Sequence, residues 1–333
     1  MKRRDGRLEI HGVSALPGTS ARGAIPFAEL PDGTKISLPI RLVNGRHPGP
    51  RLYLGATIHG DEVNGVAITS EALGRIDPNK LAGQIVCLPL QQPLAFHADH
   101  RLPLAQFFKS PLDQAPADAW TCFPGNAKGN LAEQLAHKIF QIVRLCDLAI
   151  DVHTPTRGGR YVPIAILPHA DLDPDGRVMA LAESMGTGWI IRNKDGFYVA
   201  PGILCVEATR IGIPSLTFEI GEGGRLEPDV VAIGAGCILN AMQSLEMVDI
   251  PRQEPVDVRR MSEFVGLRAT RGGLLYNKVT LGQAVRRGDL LCIVKDVFGD
   301  EVEQFLAPCD GYVVRLTTLS TVSTGERVAT LGV

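Results

Sequence analysis

Leu54-Gly-Ala-Thr-Ile-His-Gly-Asp-Glu62 carries an apolar strand straight into three polar side chains. Apolar residues alternate from Arg51 to Ile58, and Val63 to Ile76 then takes up helical spacing. Gly60 turns the chain, so a helix is predicted to begin near Asp61. The same shape occurs twice more. Ala149-Ile-Asp-Val-His153-Thr-Pro and Ser215-Leu-Thr-Phe-Glu219-Ile-Gly are also apolar runs that end in a polar, chemically able residue. Further strands are predicted at Ile85 to Leu90 and Ile164 to Leu167, and helices at Leu131 to Val143, Pro174 to Met185 and Asp229 to Met247. Strands alternating with helices imply an α/β fold with a mixed, mostly parallel sheet flanked by helices. The carboxyl ends of its strands lie along one edge, where ligands bind. Three segments far apart in sequence can therefore meet.

Working outward, residues 1–50 read as N-terminal strands with turns at Pro31-Asp-Gly33 and Asn44-Gly45. Residues 97–130 are irregular, with prolines at 103, 111, 116 and 124, and a loop of that length is usually functional. After Pro251 the chain changes to short strands and frequent glycines. Val285-Arg-Arg-Gly-Asp-Leu290 is echoed by Val322-Ser-Thr-Gly-Glu-Arg-Val328, as in a small all-β unit of two related halves. A catalytic domain over 1–255 and a β domain over 256–333 are expected. This agrees with the prior of roughly one domain per 150 residues for a 333-residue chain.

Composition removes several classes of function. Hydrophobic residues are 45% and charged residues 21%, enough for a full core and unlike a disordered chain. A net charge of −2 and 5% aromatics speak against nucleic acid or an anionic membrane as partner. Seven cysteines, an odd number with no C-x-x-C, speak against a four-cysteine zinc site or a disulfide framework. Met1-Lys-Arg-Arg-Asp5 is basic, but no apolar run follows, so it does not read as a secretory signal. The Val230 to Leu245 window lacks charge but is too short to span a membrane. A cytoplasmic protein acting on a small molecule is the expectation.

His59 and Glu62 form an H-x-x-E pair, and His153 ends a second strand. Two imidazoles and one carboxylate suit zinc and leave a fourth position for water. The pair alone reads equally as a loop histidine beside a glutamate favoured by a helix dipole. Asp151 lies two positions before His153 on the same strand face, from which it could accept the second ring N–H of a ligand histidine. It could equally be a buried acid satisfied by backbone amides.

Gly55-Ala-Thr-Ile-His-Gly-Asp-Glu62, Asp151-Val-His153 and Phe218-Glu-Ile-Gly221, taken in that order, resemble the succinylglutamate desuccinylase/aspartoacylase family, within the zinc carboxypeptidase-like fold. Leu267 to Val333 resembles the β domain of that family, with a barrel-sandwich-like build, so the resemblance spans about residues 50–333. It implies one Zn2+ per chain on His59, Glu62 and His153, with Glu219 as general base. It further implies a hydrolase, a deacylase that cleaves the amide of a small N-acyl amino acid or N-acyl amine. Glu222, next to Gly223-Gly224 and so expected on a mobile loop, is the rival base. Arg101 is the nearest match to the family arginine that assists the developing oxyanion; otherwise it is a surface charge.

The chain departs from the family pattern at Asp118-Ala-Trp120-Thr121-Cys-Phe-Pro-Gly125. The family has an Asn-Arg pair, which clamps a substrate carboxylate, where Trp120 and Thr121 stand. An indole and a hydroxyl cannot form a bidentate clamp. Trp120 and Thr121 are then candidate substrate contacts for a more apolar or differently charged substrate, unless Arg157, Arg160 or Arg192 restores the charge. The alternatives are a carboxypeptidase-like peptidase or esterase on the same site, or a non-catalytic metal- or ligand-binding homologue. The β domain is expected to pack over the active-site edge, and its apolar strand edges allow a homo-oligomer.

Overall fold

The computed structural model describes residues 6–252 and 257–333. Among these, a thirteen-stranded sheet has at its heart four parallel strands, in the spatial order Ala82–Leu88, His47–Ala56, Leu148–His153 and Ser215–Glu222. Parallel neighbours need long crossovers, and here helices provide them. Val63–Gly74, Arg177–Met185 and Pro228–Ser244 pack on one face, and Leu131–Val143 and Leu204–Arg210 on the other. Strand alternation divides the side chains accordingly. Leu52, Leu54 and Ala56 join the first apolar cluster while Tyr53 joins the second. Leu131–Val143 begins at a capping box of Asn130 and Glu133 and buries Leu135, Ala136, Ile139 and Phe140 at helical spacing. Each fully buried leucine or isoleucine contributes about 1.5–3 kcal/mol.

The His47–Ala56 strand feeds Ala82–Leu88 on one side and lies beside Leu148–His153 on the other. The connections diverge at that point, and a crevice opens past the carboxyl ends of the strands. The parallel arrangement is confined to this centre. Gly159–Ile166 runs antiparallel to Ser215–Glu222, and Lys35–Asn44 and Thr19–Glu29 form an antiparallel wing on the far side.

The C-terminal strands extend the same sheet. Gly311–Thr317 pairs with Gly159–Ile166 and is followed by Arg327–Gly332 and Phe264–Arg268. A second, four-stranded sheet of Glu301–Leu306, Leu290–Lys295, Gly273–Asn277 and Thr321–Val322 packs with them around a separate apolar cluster. The sequence echo is realised as two matching turns. Asp289 accepts the backbone N–H of Arg286 at 2.7 Å, and Glu326 accepts that of Ser323 at 2.7 Å. Tyr161, Ile164, Trp189, Met261 and Val314 seal the seam between the two regions. The expected division at 255/256 and the reading of Met1–Asp5 lie outside the described residues. Among the described residues no helix is long and apolar enough to cross a membrane.

Two segments differ from the sequence reading. The 97–130 stretch contains a short helix, Leu104–Lys109, and a 3-10 turn, Ala119–Thr121. The first helix starts at Val63, because residues 57–62 form a tight buried turn with Glu62 as its N-cap residue.

Candidate metal centre and its surroundings

The turn after Ala56 is shaped by two unusual residues. Thr57, fully buried, adopts φ +58°, a strained value for a β-branched residue. Its hydroxyl donates to the backbone oxygen of Glu62 at 3.0 Å, which ties the turn shut. Gly60 passes so close to the backbone of Ala95 that a Cβ would lie 1.9 Å from the Ala95 carbonyl carbon. The Glu62 side chain does not cap its helix but turns into the crevice.

This places His59 and Glu62 against His153 at the end of the neighbouring strand. One donor atom from each of the three lies within 4.8 Å of the others, and all three residues are buried. His59 Nδ1 contacts Glu62 Oε1, and His153 Nδ1 lies 3.1 Å from Glu62 Oε2 without hydrogen-bond geometry. The opposite ring nitrogens are also taken. His153 Nε2 meets Asp151 Oδ2 at 2.9 Å, and His59 Nε2 meets Asp118 Oδ1 at 3.2 Å. A carboxylate on each Nε2 favours the proton there and leaves both Nδ1 lone pairs facing Glu62. Asp151 is itself fixed by Gln91 Nε2 at 2.7 Å.

The electrostatics follow from this crowding. Burial lowers the His153 pKa, but Glu62 and Asp151 together lift it well above its ordinary value. Burial and the Arg101 charge lower the His59 pKa, but Glu62 and Asp118 together raise it above its ordinary value. Burial works against the Glu62 carboxylate, yet the two histidines hold its pKa down at about 2. A carboxylate oxygen and two imidazole nitrogens, each imidazole oriented by a second carboxylate, form a donor set that fits a divalent cation such as zinc.

Glu219 stands beside this cluster because it is in register with His153 on adjacent parallel strands. It is buried, and its Oε2 has no hydrogen-bond partner among the described residues. Its Oε1 is 3.5 Å from the Tyr198 hydroxyl. Burial pushes its pKa up to about 7, against the pull of His153, His59 and Arg101. Glu222 is not on a mobile loop. It ends the strand, buried, and its Oε1 accepts from Thr318 Oγ1 at 2.7 Å and from the Gly158 N–H at 3.4 Å. The next two residues are pinned as well: Gly223 N–H donates to Pro155 at 2.7 Å and Gly224 N–H to Asp61 at 2.6 Å.

Asp118 is the residue that sequence reasoning left without a role. Besides orienting His59, it accepts from Arg101 Nη2 at 2.8 Å and Nε at 3.2 Å. Its signal was its place at the head of the Asp118–Gly125 run, six positions before Pro124. Its carboxyl is held well below the usual range: burial raises it, but His59 and Arg101 outweigh burial. Asp118→Asn should weaken metal binding by about 10–100-fold, the usual cost of losing a partner that orients a ligand histidine. Competition with a chromogenic chelator measures this, and an unaltered affinity would remove Asp118 from the site.

Trp120 and Thr121 part company. The Trp120 ring packs 5.6 Å from His59 and 5.3 Å from His153, with Phe197 and Tyr198 on its other sides. Its Nε1 is buried without a hydrogen-bond partner among the described residues. The Thr121 hydroxyl donates back to the Asp118 carbonyl at 3.0 Å, and Thr121 does not line the cavity. The three arginines considered as replacements are committed elsewhere: Arg157 to Asp99 at 2.6 Å, Arg192 to Asp173 at 2.6 Å, and Arg160 to Glu227.

The cluster opens into a cavity of about 700 Å³. His59, Glu62, Arg101, Trp120 and Glu219 line one part, and the C-terminal strands supply a wall that includes Phe264, Arg315 and Arg327.

Comparison with known proteins bears on the family and the fold. The family model for the succinylglutamate desuccinylase/aspartoacylase catalytic domain matches residues 48–245. The N-alpha-acetyl-L-2,4-diaminobutyric acid deacetylase of Halomonas elongata is 25% identical over 307 residues, 89% of this chain and 85% of that protein. A crystal structure of a succinylglutamate desuccinylase/aspartoacylase from Rhodobacter sphaeroides is 26% identical, with a TM-score of 0.78 over 99% of this chain and 95% of that one. The product-bound ectoine utilization protein EutE of Ruegeria pomeroyi shares the fold, with a TM-score of 0.80 at 21% identity over 99% and 96% of the two chains. With the family model covering more than half of its length, the chain belongs to the succinylglutamate desuccinylase/aspartoacylase family.

Proposed function

We propose that this protein is a zinc-dependent deacylase that hydrolyses the amide bond of a small N-acyl amino acid or N-acyl amine. The observation that carries this reading is the convergence of His59, Glu62 and His153 next to Glu219, whose Oε2 has no hydrogen-bond partner among the described residues. A relative that is an N-acetyl-diaminobutyrate deacetylase supports the amide as the bond cleaved.

His59, Glu62 and His153 would hold the ion. Once bound, zinc supplies Lewis acidity, which polarises a carbonyl and lowers the pKa of water toward about 7. The protein supplies the rest. Glu219 takes a proton from the attacking water and later returns it to the departing amine nitrogen. Tyr198, beside Glu219 Oε1, limits the swing of that carboxylate. Arg101 keeps two of its nitrogens on Asp118, while its Nη1 has no partner among the described residues. That free donor serves the oxygen that gains charge as the amide is attacked. Trp120 covers both imidazoles and excludes bulk water from them. The wall of C-terminal strands closes one side of the cavity, which favours a small substrate over a polypeptide.

The test is metal analysis followed by a screen of N-acylated amino acids and diamines. About one zinc per chain and release of a free amine are expected. No metal after chelator-free purification, or no turnover across the panel by the zinc-loaded protein, would overturn the reading.

A further inference from the structure

If the protein is a deacylase, its cavity must hold the substrate by something besides the scissile amide. The family position for a carboxylate clamp is filled by Trp120 and Thr121, neither of which carries charge. Arg157, Arg160 and Arg192 are each neutralised by a carboxylate, and Arg101 is held by Asp118.

Two guanidinium groups on the cavity wall are different. Arg315 lies on Gly311–Thr317 and Arg327 on Arg327–Gly332. Among the described residues neither has a carboxylate within 4 Å. Among the described residues Arg315 makes one side-chain hydrogen bond, from Nη1 to Thr317 Oγ1 at 3.3 Å, and the Arg327 guanidinium makes none. Backbone register places them on the cavity side. Arg315 sits opposite Tyr161 on one neighbouring strand and Thr330 on the other, and both of those residues line the cavity. Arg327 pairs with Arg268, a third cation at the rim whose Nη1 is bound to the Gly325 carbonyl.

Room has been left for these groups. A Cβ on Gly159 would lie 2.3 Å from Arg315 Nη2, and one on Gly266 would lie 3.6 Å from Arg327 Nε. Each guanidinium thus rests over a residue with no side chain. Thr330 Oγ1, on the same wall, is buried without a hydrogen-bond partner among the described residues. Glu263, the acid on that wall, forms no ion pair with either arginine among the described residues. The wall is therefore rich in donors and poor in acceptors. Holding two partly desolvated cations together is unfavourable unless an anion sits between them. Burial and the nearby Arg327 lower the pKa of Arg315, against the opposing pull of Tyr161, Tyr198 and Glu219.

We propose that Arg315 and Arg327 bind a carboxylate of the substrate, so that the C-terminal strands replace the missing clamp and select N-acyl compounds that carry an anionic group. This rests on the deacylase reading for its substrate but not for its binding test. The carboxylate can belong to the amine half, as in an N-acetyl amino acid, or to the acyl half, as in an N-succinyl amine. Guanidinium recognition is the same for both.

Two measurements test it. In the first, kcat/KM is compared for an N-acetyl amino acid, its decarboxylated N-acetyl amine and the N-succinyl form of that amine. The preference for one carboxylated compound over the uncharged one should fall by about 10–100-fold in Arg315→Ala or Arg327→Ala, since each removes one charge-assisted contact. The lysine variants should recover part of it. The compound that loses its advantage identifies the half bearing the anion. A preference that the substitutions leave unmoved overturns the proposal. The second measurement needs no turnover. Calorimetric titration with succinate should show binding to the wild type that weakens at least about 10-fold in R315A/R327A. Equal binding by both proteins, or none by the wild type, overturns the proposal whether or not the protein is a deacylase. Absence of turnover with intact, arginine-dependent succinate binding would overturn only the deacylase reading.

Discussion

Glu219→Gln should lower kcat by about 10²–10⁴-fold and leave the metal in place. Glutamine keeps the shape and polarity of the side chain but cannot accept a proton, so it removes the base without opening a cavity. The prediction rests on three facts. Glu219 is in strand register with His153, is buried, and keeps Oε2 free of any partner among the described residues. A free, desolvated carboxylate near the reacting atoms is what proton transfer needs. The pH profile provides a second readout. The ionised form is active, so the rate falls as pH drops through the pKa of Glu219. Burial lifts that pKa to about 7, and a neighbouring dication pulls it back down. The acidic limb of the wild type should therefore lie below 7 and vanish in Glu219→Gln. Metal content measured on the same sample separates loss of the base from loss of the site. Glu222→Gln is the control. Its Oε1 already accepts from Thr318 and Gly158, so the change should loosen the junction to the C-terminal strands with little effect on kcat. A collapse of turnover in Glu222→Gln with normal rates in Glu219→Gln would reverse the assignment.

How much of this site was legible in the sequence depends on the range of the interaction. Strand ends with a polar residue are local signals, and the convergence of His59, His153 and Glu219 follows from them once the strands are parallel. The Leu131–Val143 helix was legible because thirteen residues cover more than three turns of an apolar stripe. Leu204–Arg210 was not, since seven residues give no usable period, and nearly all of its residues are buried. Tertiary pairing was the least legible. Nothing near Arg315 marks it as a cavity residue. Only the antiparallel register of Gly311–Thr317 against Gly159–Ile166 brings it there. Arg157 and Arg160 lie close in sequence to predicted strands, and Arg192 lies near none, yet side-chain partners chosen across the fold neutralise all three. Asp118 shows the same limit. An acid at the head of a loop is unremarkable until the fold sets it between an imidazole and a guanidinium. Gly223-Gly224 shows the converse, because glycines that look permissive are held by Pro155 and Asp61.

Glu62→Gln should have the other large effect, removing the metal and with it all turnover. Glu62 is the only anionic donor of the three, and it lies between two imidazole nitrogens. Burial disfavours its charge, yet both histidines keep it ionised, with a pKa near 2, so it is a carboxylate at every working pH. An amide offers a neutral oxygen in its place, and two neutral imidazoles with a neutral oxygen hold a dication far less well. The loss of affinity should exceed the roughly 10–100-fold expected when only an orienting partner is removed. The substitution also acts on the metal-free protein. His59 and His153 owe part of their raised pKa values to Glu62, Asp118 and Asp151 supplying the rest, so without Glu62 both rings are lifted less against burial. Thermal unfolding with and without chelator gives a readout that does not depend on knowing the substrate. An ion present at a hundred times its dissociation constant stabilises the native state by about 2.7 kcal/mol. The wild type should therefore lose several degrees of Tm when stripped, and Glu62→Gln should lose none. If Glu62→Gln retains one zinc per chain and responds to chelator as the wild type does, His59 and His153 must bind their ion with some other third donor. The arrangement built on the 57–62 turn would then be wrong.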